Sequence, residues 1–290
     1  MLAALDVGGT AIKGGLVDLT SGEVATGPPR HFDAEGDEAT IVAALTTACS
    51  AVLDDDRADD DRLAVAFPHP FDYETGRPLM RGQRKFDAVY GTDLPQALRA
   101  GLGRPALEIR FCHDAEAAAW GEATWGSGRD LDRFLMVTLG TGFGGAVVDR
   151  RLRSGPGTTL GPAAELFRRT APSGGTADDR LSAFGLASRL GVAASELPAA
   201  VERAHGGDPT LSAGLAAFGE ELGAFLAEVA EEFEVASVVV GGGVSRGFAS
   251  FGPAAEARFG GVIRPAELGS AAALIGAAAA FLDADRAAGQ

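Results

Sequence analysis

Gly9-Thr10-Ala11-Ile12-Lys13-Gly14-Gly15-Leu16-Val17-Asp18 lies without a gap over Gly140-Thr141-Gly142-Phe143-Gly144-Gly145-Ala146-Val147-Val148-Asp149. Each copy is a Gly-Thr turn behind an apolar run. Glycine leaves backbone N–H groups open to an anion, because no Cβ blocks the approach and positive φ costs it little. Two such turns in separate halves of a chain suit a phosphate-bearing ligand. In the first, Asp6-Val7-Gly8-Gly9-Thr10-Ala11-Ile12-Lys13, the amides of Gly8 and Gly9 and the Thr10 hydroxyl could reach terminal phosphates, and Asp6 could orient a magnesium-bound water. Lys13 closes the same motif as a further ligand-binding candidate. The plain alternative is a β-hairpin with a carboxylate at its edge.

In the second copy, Gly140, Thr141 and Gly142 open the pattern G-x-G-x-x-G. A dinucleotide fingerprint needs a helix to start inside those glycines. Here they lead into Ala146-Val147-Val148, a strand, so a phosphate-gripping hairpin is the better reading. Gly241, Gly242 and Gly243 follow a buried β-branched run, where a loop without side chains admits a flat adenine or ribose, or merely turns the chain tightly. In His113-Asp114-Ala115-Glu116, Asp114 ends a strand and opens a helix. It could cap that helix, or take a proton from a substrate hydroxyl.

The elements that must position these residues alternate. Leu2 to Val7, Gly14 to Leu19 and Glu23 to Phe32 read as antiparallel strands, followed by a helix over Glu38 to Leu53 and a buried strand over Leu63 to Phe67. A helix at Asp93 to Leu102, a strand at Ala106 to Cys112 and a helix at Ala115 to Trp125 complete the first half. Strands at Phe134 to Leu139 and Gly145 to Asp149 then restart the plan. An irregular stretch follows from Arg153 to about Asp178. Helices at Leu181 to Leu190, Leu197 to His205 and Leu211 to Phe233 precede the strand Ala236 to Val240, and Ser270 to Asp285 closes the chain as an Ala-rich helix. The domains expected are residues 1–116 with 275–290, and 117–274.

A net charge of −15 over 290 residues argues against nucleic-acid or anionic-membrane partners. A phosphorylated ligand must then be held by amides, metal and a few local cations. Cys49 and Cys112 alone support no disulfide framework, and the scattered histidines assemble no zinc cluster of usual spacing, so no protein-held metal is expected. With no leader pattern and no apolar run long enough to span a bilayer, a cytoplasmic location is expected. The acidic run from Asp54 to Asp61 reads as a solvated connector.

Taken together, LDVGGTAIKGGLVD at 5–18, FPHPFDYETG at 67–76, HDAEAAAWGE at 113–122, VTLGTGFGGAVV at 137–148 and VVVGGGVS at 238–245 resemble the ROK family of repressors and sugar kinases. The resemblance covers nearly the whole chain. It implies an α/β fold of two ribonuclease-H-like (actin-like ATPase) domains around a central cleft. It also implies Asp114 as the general base that deprotonates a sugar hydroxyl, the turns at Gly8, Gly9, Thr10 and at Gly140, Thr141, Gly142 as phosphate loops, and Gly241 to Gly243 as the adenosine motif. ATP and Mg2+ are the expected cofactors, a small sugar the expected partner, and a homodimer the expected assembly.

The sugar pocket departs from that pattern. Phe67-Pro68-His69-Pro70 stands for the family's Gly-x-Pro-Gly loop, His113 and Glu116 for its asparagines, and Glu165-Leu166-Phe167-Arg168 for its Glu-x-Gly-His element. The Cys-rich zinc segment is replaced by Ala171 to Asp178, with Asp178 where the family has a sugar-binding Glu, so zinc is not expected. Pro68, His69, His113, Glu165, Arg168 and Asp178 are the resulting substrate-binding candidates. His69, His113 and Arg168 would suit an acidic or phosphorylated sugar, unless they pair with Glu116, Glu165 and Asp178. The function expected is ATP-dependent phosphorylation of a sugar hydroxyl. The alternatives are a polyphosphate-donor sugar kinase and a non-catalytic sugar- or nucleotide-binding regulatory protein.

Overall fold

The computed structural model describes residues 1–59, 61–82, 84–150 and 162–288. They form two compact α/β units, one holding Met1–Trp125 together with the chain from Ser270 onward, the other the described residues between Gly126 and Gly269. In each unit an antiparallel strand pair is continued on one side by parallel strands, the arrangement expected of a ribonuclease-H-like domain.

In the first unit, β1 (Leu2–Val7), β2 (Ala11–Val17), β3 (Val24–Thr26) and β4 (Arg30–His31) lead to α1 (Glu38–Leu53) and β5 (Arg62–Phe67). A short pair, β6 (Phe71–Asp72) and β7 (Arg77–Pro78), precedes α2 (Leu94–Leu102), β8 (Glu108–His113) and α3 (Asp114–Trp125). The sheet order is β3-β2-β1-β5-β8, with β4 also on β2; β1, β5 and β8 run parallel. One strand was expected from Glu23 to Phe32. Two short ones form instead, because Gly27-Pro28-Pro29 interrupts them and proline cannot donate to a ladder. Asp37 caps α1 through the Thr40 N–H, and Asp93 caps α2 through the Gln96 N–H. Ile41, Leu45 and Cys49 then face a core built with Leu5, Val65, Phe67, Phe71, Phe86 and Phe111.

The second unit runs through β9 (Arg133–Leu139), β10 (Phe143–Asp149), α4 (Ala177–Leu181), α5 (Ala183–Leu190), α6 (Leu197–His205), α7 (Pro209–Glu232), β11 (Ser237–Gly241), α8 (Phe248–Phe259) and β12 (Val262–Pro265). Its sheet order is β10-β9-β11-β12, with β9, β11 and β12 parallel. Helix α7 lays Leu215, Phe218, Leu222, Phe225 and Val229 into the core at helical spacing. Of the irregular stretch expected from Arg153 to Asp178, residues 153–161 lie outside the described residues. The remainder holds a 3₁₀ turn at Pro162–Arg168 and the start of α4. Asp60 of the acidic connector also lies outside the described residues. Sequence reading missed α8, whose Gly252-Pro253 interior weakens the helical signal.

The chain then returns to the first unit as α9 (Ala272–Ala288), which packs on α3, β5 and β1. The crossing with α3 is close: a Cβ on Gly276 would stand 1.6 Å from the carbonyl oxygen of Ala117. Helix α3 is thereby fixed from behind, and its first residue is Asp114.

Candidate active site

In the first unit, the carboxyl ends of three neighbouring parallel strands carry the candidate residues. Asp6 lies near the end of β1, Pro68 and His69 follow β5, and His113 ends β8 with Asp114 next. In parallel α/β sheets this edge is where ligands are held. The edge brings Asp6, His69, His113 and Asp114 together.

Asp114 sits where strand becomes helix. Its Oδ1 accepts the N–H of Ala115 at 2.7 Å and faces Nε2 of His113 at 3.2 Å. No protein group takes Oδ2 among the described residues, and the side chain is 38% exposed. One oxygen is therefore held while the other can receive a proton. The cap-like contact and the base geometry occur in the same carboxylate.

His113 itself is buried. Its ring lies 6.2 Å from that of His69 and 6.2 Å from that of Tyr73, centroid to centroid. Tyr73 donates its hydroxyl to the Phe67 carbonyl at 3.0 Å. Burial first, then the negative charges of Asp114, Cys112 and Glu116, push the Tyr73 hydroxyl well above its ordinary range. Tyr73 is thus a wall of the site that sequence reading passed over. The aromatic at the end of FPHPFDY was the available signal.

Around the first turn, the N–H of Gly8 donates to the Ala11 carbonyl at 3.0 Å and so shapes the hairpin. Thr10 is exposed at its tip. Lys13 Nζ lies 2.7 Å from Asp6 Oδ2. Burial raises the Asp6 carboxyl, Lys13 opposes that shift, and the charge of Asp114 adds to it. The Coulombic coupling means the two carboxylates share one neighbourhood.

In the second unit, the Gly140–Gly142 turn follows β9, and Gly241 ends β11, its parallel neighbour, with Gly242 and Gly243 next. Gly242 has φ 84°, and a Cβ there would come within 2.4 Å of the Leu139 carbonyl oxygen. The N–H of Gly140 donates to the Gly142 carbonyl at 2.9 Å, and its carbonyl accepts from the Ala183 N–H at 2.8 Å. Asp178 Oδ1 accepts the N–H of Phe143 at 2.7 Å. Asp178, expected beside a sugar, therefore stands against the second Gly-Thr turn.

Arg168 Nη1 pairs with Glu165 Oε2 at 3.0 Å in an exposed ion pair, and the guanidinium also lies over the Phe167 ring. Its positive charge is already matched within its own 3₁₀ turn, which takes away one support for an acidic acceptor. The segment leading to α4 is tied down by buried Glu221 of α7, which accepts from the N–H and hydroxyl of Ser173 and pairs with Arg189. Among the described residues, no cluster of three or more His, Cys, Asp or Glu could hold a metal, and no helix is long and apolar enough to cross a membrane.

Comparison with known proteins gives one family. The model described as "ROK family" matches residues 2–284. A beta-glucoside kinase from Listeria innocua is 36% identical over 148 residues, covering 50% of this chain and 46% of that protein. The bifunctional enzyme NanE/NanK of Brucella melitensis is 30% identical over 298 residues, covering 95% of this chain and 52% of that protein. The chain spans about half the length of the curated relatives it matches. The structure of a ROK family glucokinase from Streptomyces griseus, in complex with glucose and AMPPNP, superposes with a TM-score of 0.76 at 24% identity, covering 96% of this chain and 97% of that one.

Proposed function

The chain belongs to the ROK family, and on that premise we propose that it transfers the terminal phosphoryl group of ATP to a hydroxyl of a sugar or sugar derivative. The observation that carries this reading is the Asp114 carboxylate, with Oδ1 held by Ala115 and His113 and Oδ2 open. The name of the beta-glucoside kinase relative supports the same class of reaction.

In the proposed step, Asp114 Oδ2 takes the proton of the acceptor hydroxyl as its oxygen forms a bond to the γ-phosphorus. The bond from that phosphorus to the bridging oxygen breaks, and ADP leaves with the electron pair. General-base assistance of this kind contributes about 10²- to 10⁴-fold. Most of the remaining stabilisation falls on the equatorial phosphoryl oxygens, which the turn at Gly8–Thr10 would meet with backbone N–H groups; the turn at Gly140–Gly142, within the second unit, offers amides of the same kind. Gly241–Gly243 would take the nucleoside. On the acceptor side, buried His113 and half-buried His69 and Tyr73 would form a wall for a sugar ring to pack on.

The half-buried oxygen donor Asp6 fits Mg2+, a hard cation that binds through one or two carboxylates and the substrate's phosphates. Asp6 would hold it, and the ion when bound would draw charge from the phosphoryl oxygens. No further protein carboxylate is needed for that coordination.

The test is sugar-dependent ADP release with ATP and magnesium, screened over neutral, amino, acidic and phosphorylated sugars. Turnover with at least one sugar is expected. Tight binding of ATP and sugar without ADP release would instead assign the chain to the regulatory proteins of its fold.

A further inference from the structure

Lys85 belongs to none of the sequence motifs, yet the fold delivers it to the first phosphate turn. Its neighbours Arg84 and Phe86 have φ of 68° and 62°, left-handed conformations for two residues that are not glycine. L side chains hold that conformation only where the surroundings over-determine it, and such strain gathers at ligand clamps. Phe86 is the fixing point. Its buried ring packs 4.9 Å from Phe67 and 6.0 Å from Phe32, and its N–H donates to the Ala34 carbonyl at 2.7 Å. Arg84 turns away to Glu35 at 3.0 Å, on the surface.

Between these two, the Lys85 side chain folds onto Gly9. A Cβ at residue 9 would stand 2.8 Å from both Cδ and Nζ of Lys85, so the lysine occupies the space that any other residue there would fill. Lys85 is half-buried. Among the described residues no carboxylate or other acceptor holds its ammonium, although the chain carries a net charge of −15. The neighbouring Lys13 is already committed to Asp6 at 2.7 Å. A cation that no carboxylate among the described residues takes up, laid on a glycine turn, is set for an anion that arrives from solution.

We infer that Lys85 is a phosphate-binding residue of the donor site, its ammonium contacting the terminal phosphoryl group of the nucleotide held at the Gly8–Thr10 turn. This rests on the kinase reading of the same site. The contact would strengthen as charge builds on the transferring group.

The experiment compares the full chain with Lys85→Met, Lys85→Gln and Lys85→Arg. Unchanged thermal melting is expected, because Phe86 and not Lys85 anchors the loop; Lys85→Gln keeps length and polarity should methionine disturb it. Removing the charge should lower kcat/KM for ATP by about 10- to 100-fold while KM for the sugar stays within about twofold, and arginine should restore most of the loss. Calorimetry with AMPPNP and magnesium should show a matching loss of affinity in Lys85→Met, with AMP binding unaltered. A wild-type chain that releases no ADP with any sugar would defeat the kinase reading, while the calorimetric difference still tests the lysine. Equal losses for AMPPNP and AMP, or full donor affinity in the folded Met and Gln variants, would overturn the assignment.

Discussion

Asp178 of α4 accepts the backbone N–H of Phe143 at 2.7 Å, so a helix-borne carboxylate braces the second Gly-Thr turn from within its own unit. If this brace is its main duty, Asp178→Ala should raise KM for ATP by about three- to tenfold, the loss of one charge-assisted hydrogen bond, and leave KM for the sugar nearly unchanged. Steady-state kinetics with each substrate varied in turn decides it. A rise confined to the sugar would return Asp178 to the acceptor pocket.

For Asp114, the expected outcome of Asp114→Asn is a fall in kcat of at least about a hundredfold with nucleotide affinity preserved. Calorimetry with AMPPNP beside a turnover assay separates the two. Near-normal turnover would exclude Asp114 as the base.

His113 acts through its neighbour, holding Asp114 Oδ1 at 3.2 Å. His113→Leu should lower kcat by about tenfold through a misplaced base, and His113→Asn, which keeps a donor, should recover part of it. Equal kcat in both variants and the parent would show that the pair does no positioning.

Asp6 gives a pH prediction whose sign can be worked out. Burial chiefly raises its carboxyl from 3.8 in the fold, against the pull of Lys13. The folded chain therefore keeps this proton where the unfolded chain has lost it, and the stability contributed is full below 3.8 and lost as pH rises through the raised value. Asp6→Asn does not titrate. Its melting temperature relative to the parent should thus climb from about pH 3 toward neutrality, even as activity falls. A difference that stays flat or shrinks across that range would contradict the assignment.

Gly276→Ala places a methyl group on the Ala117 carbonyl oxygen at the α3–α9 crossing. A loss of about 1–3 kcal/mol is expected, with reduced activity because α3 begins at Asp114. Chemical denaturation beside kinetics would reveal it. An unaltered midpoint would mean that the two helices separate at no cost.

The alternating strands and helices were legible because apolar runs and their periods survive in the sequence, as in Leu2 to Val7 or the long face of α7. Helix α8 was not, since Gly252 and Pro253 lie inside it. The Gly-Thr turns and Asp114 could be read because glycine and a strand-end carboxylate have local signatures. Lys85 and Tyr73 could not: each reaches the site by a loop whose path depends on Phe67, Phe71 and Phe86 packing far along the chain. The pairing of Arg168 with Glu165 lies three residues apart and was readable as a pair.

The return of α9 to the first unit also bears on the order of events at the ribosome. Between Gly126 and Gly269 the chain builds a unit of its own, so that unit can condense while later residues are still being added. The first unit cannot. The apolar surface of β1, β5 and α3 that α9 covers stays open until residues 272–288 have emerged. During that interval, nascent chains present an incomplete sheet to chaperones and to one another, and α3, with the candidate base Asp114 at its start, acquires its backing last of all.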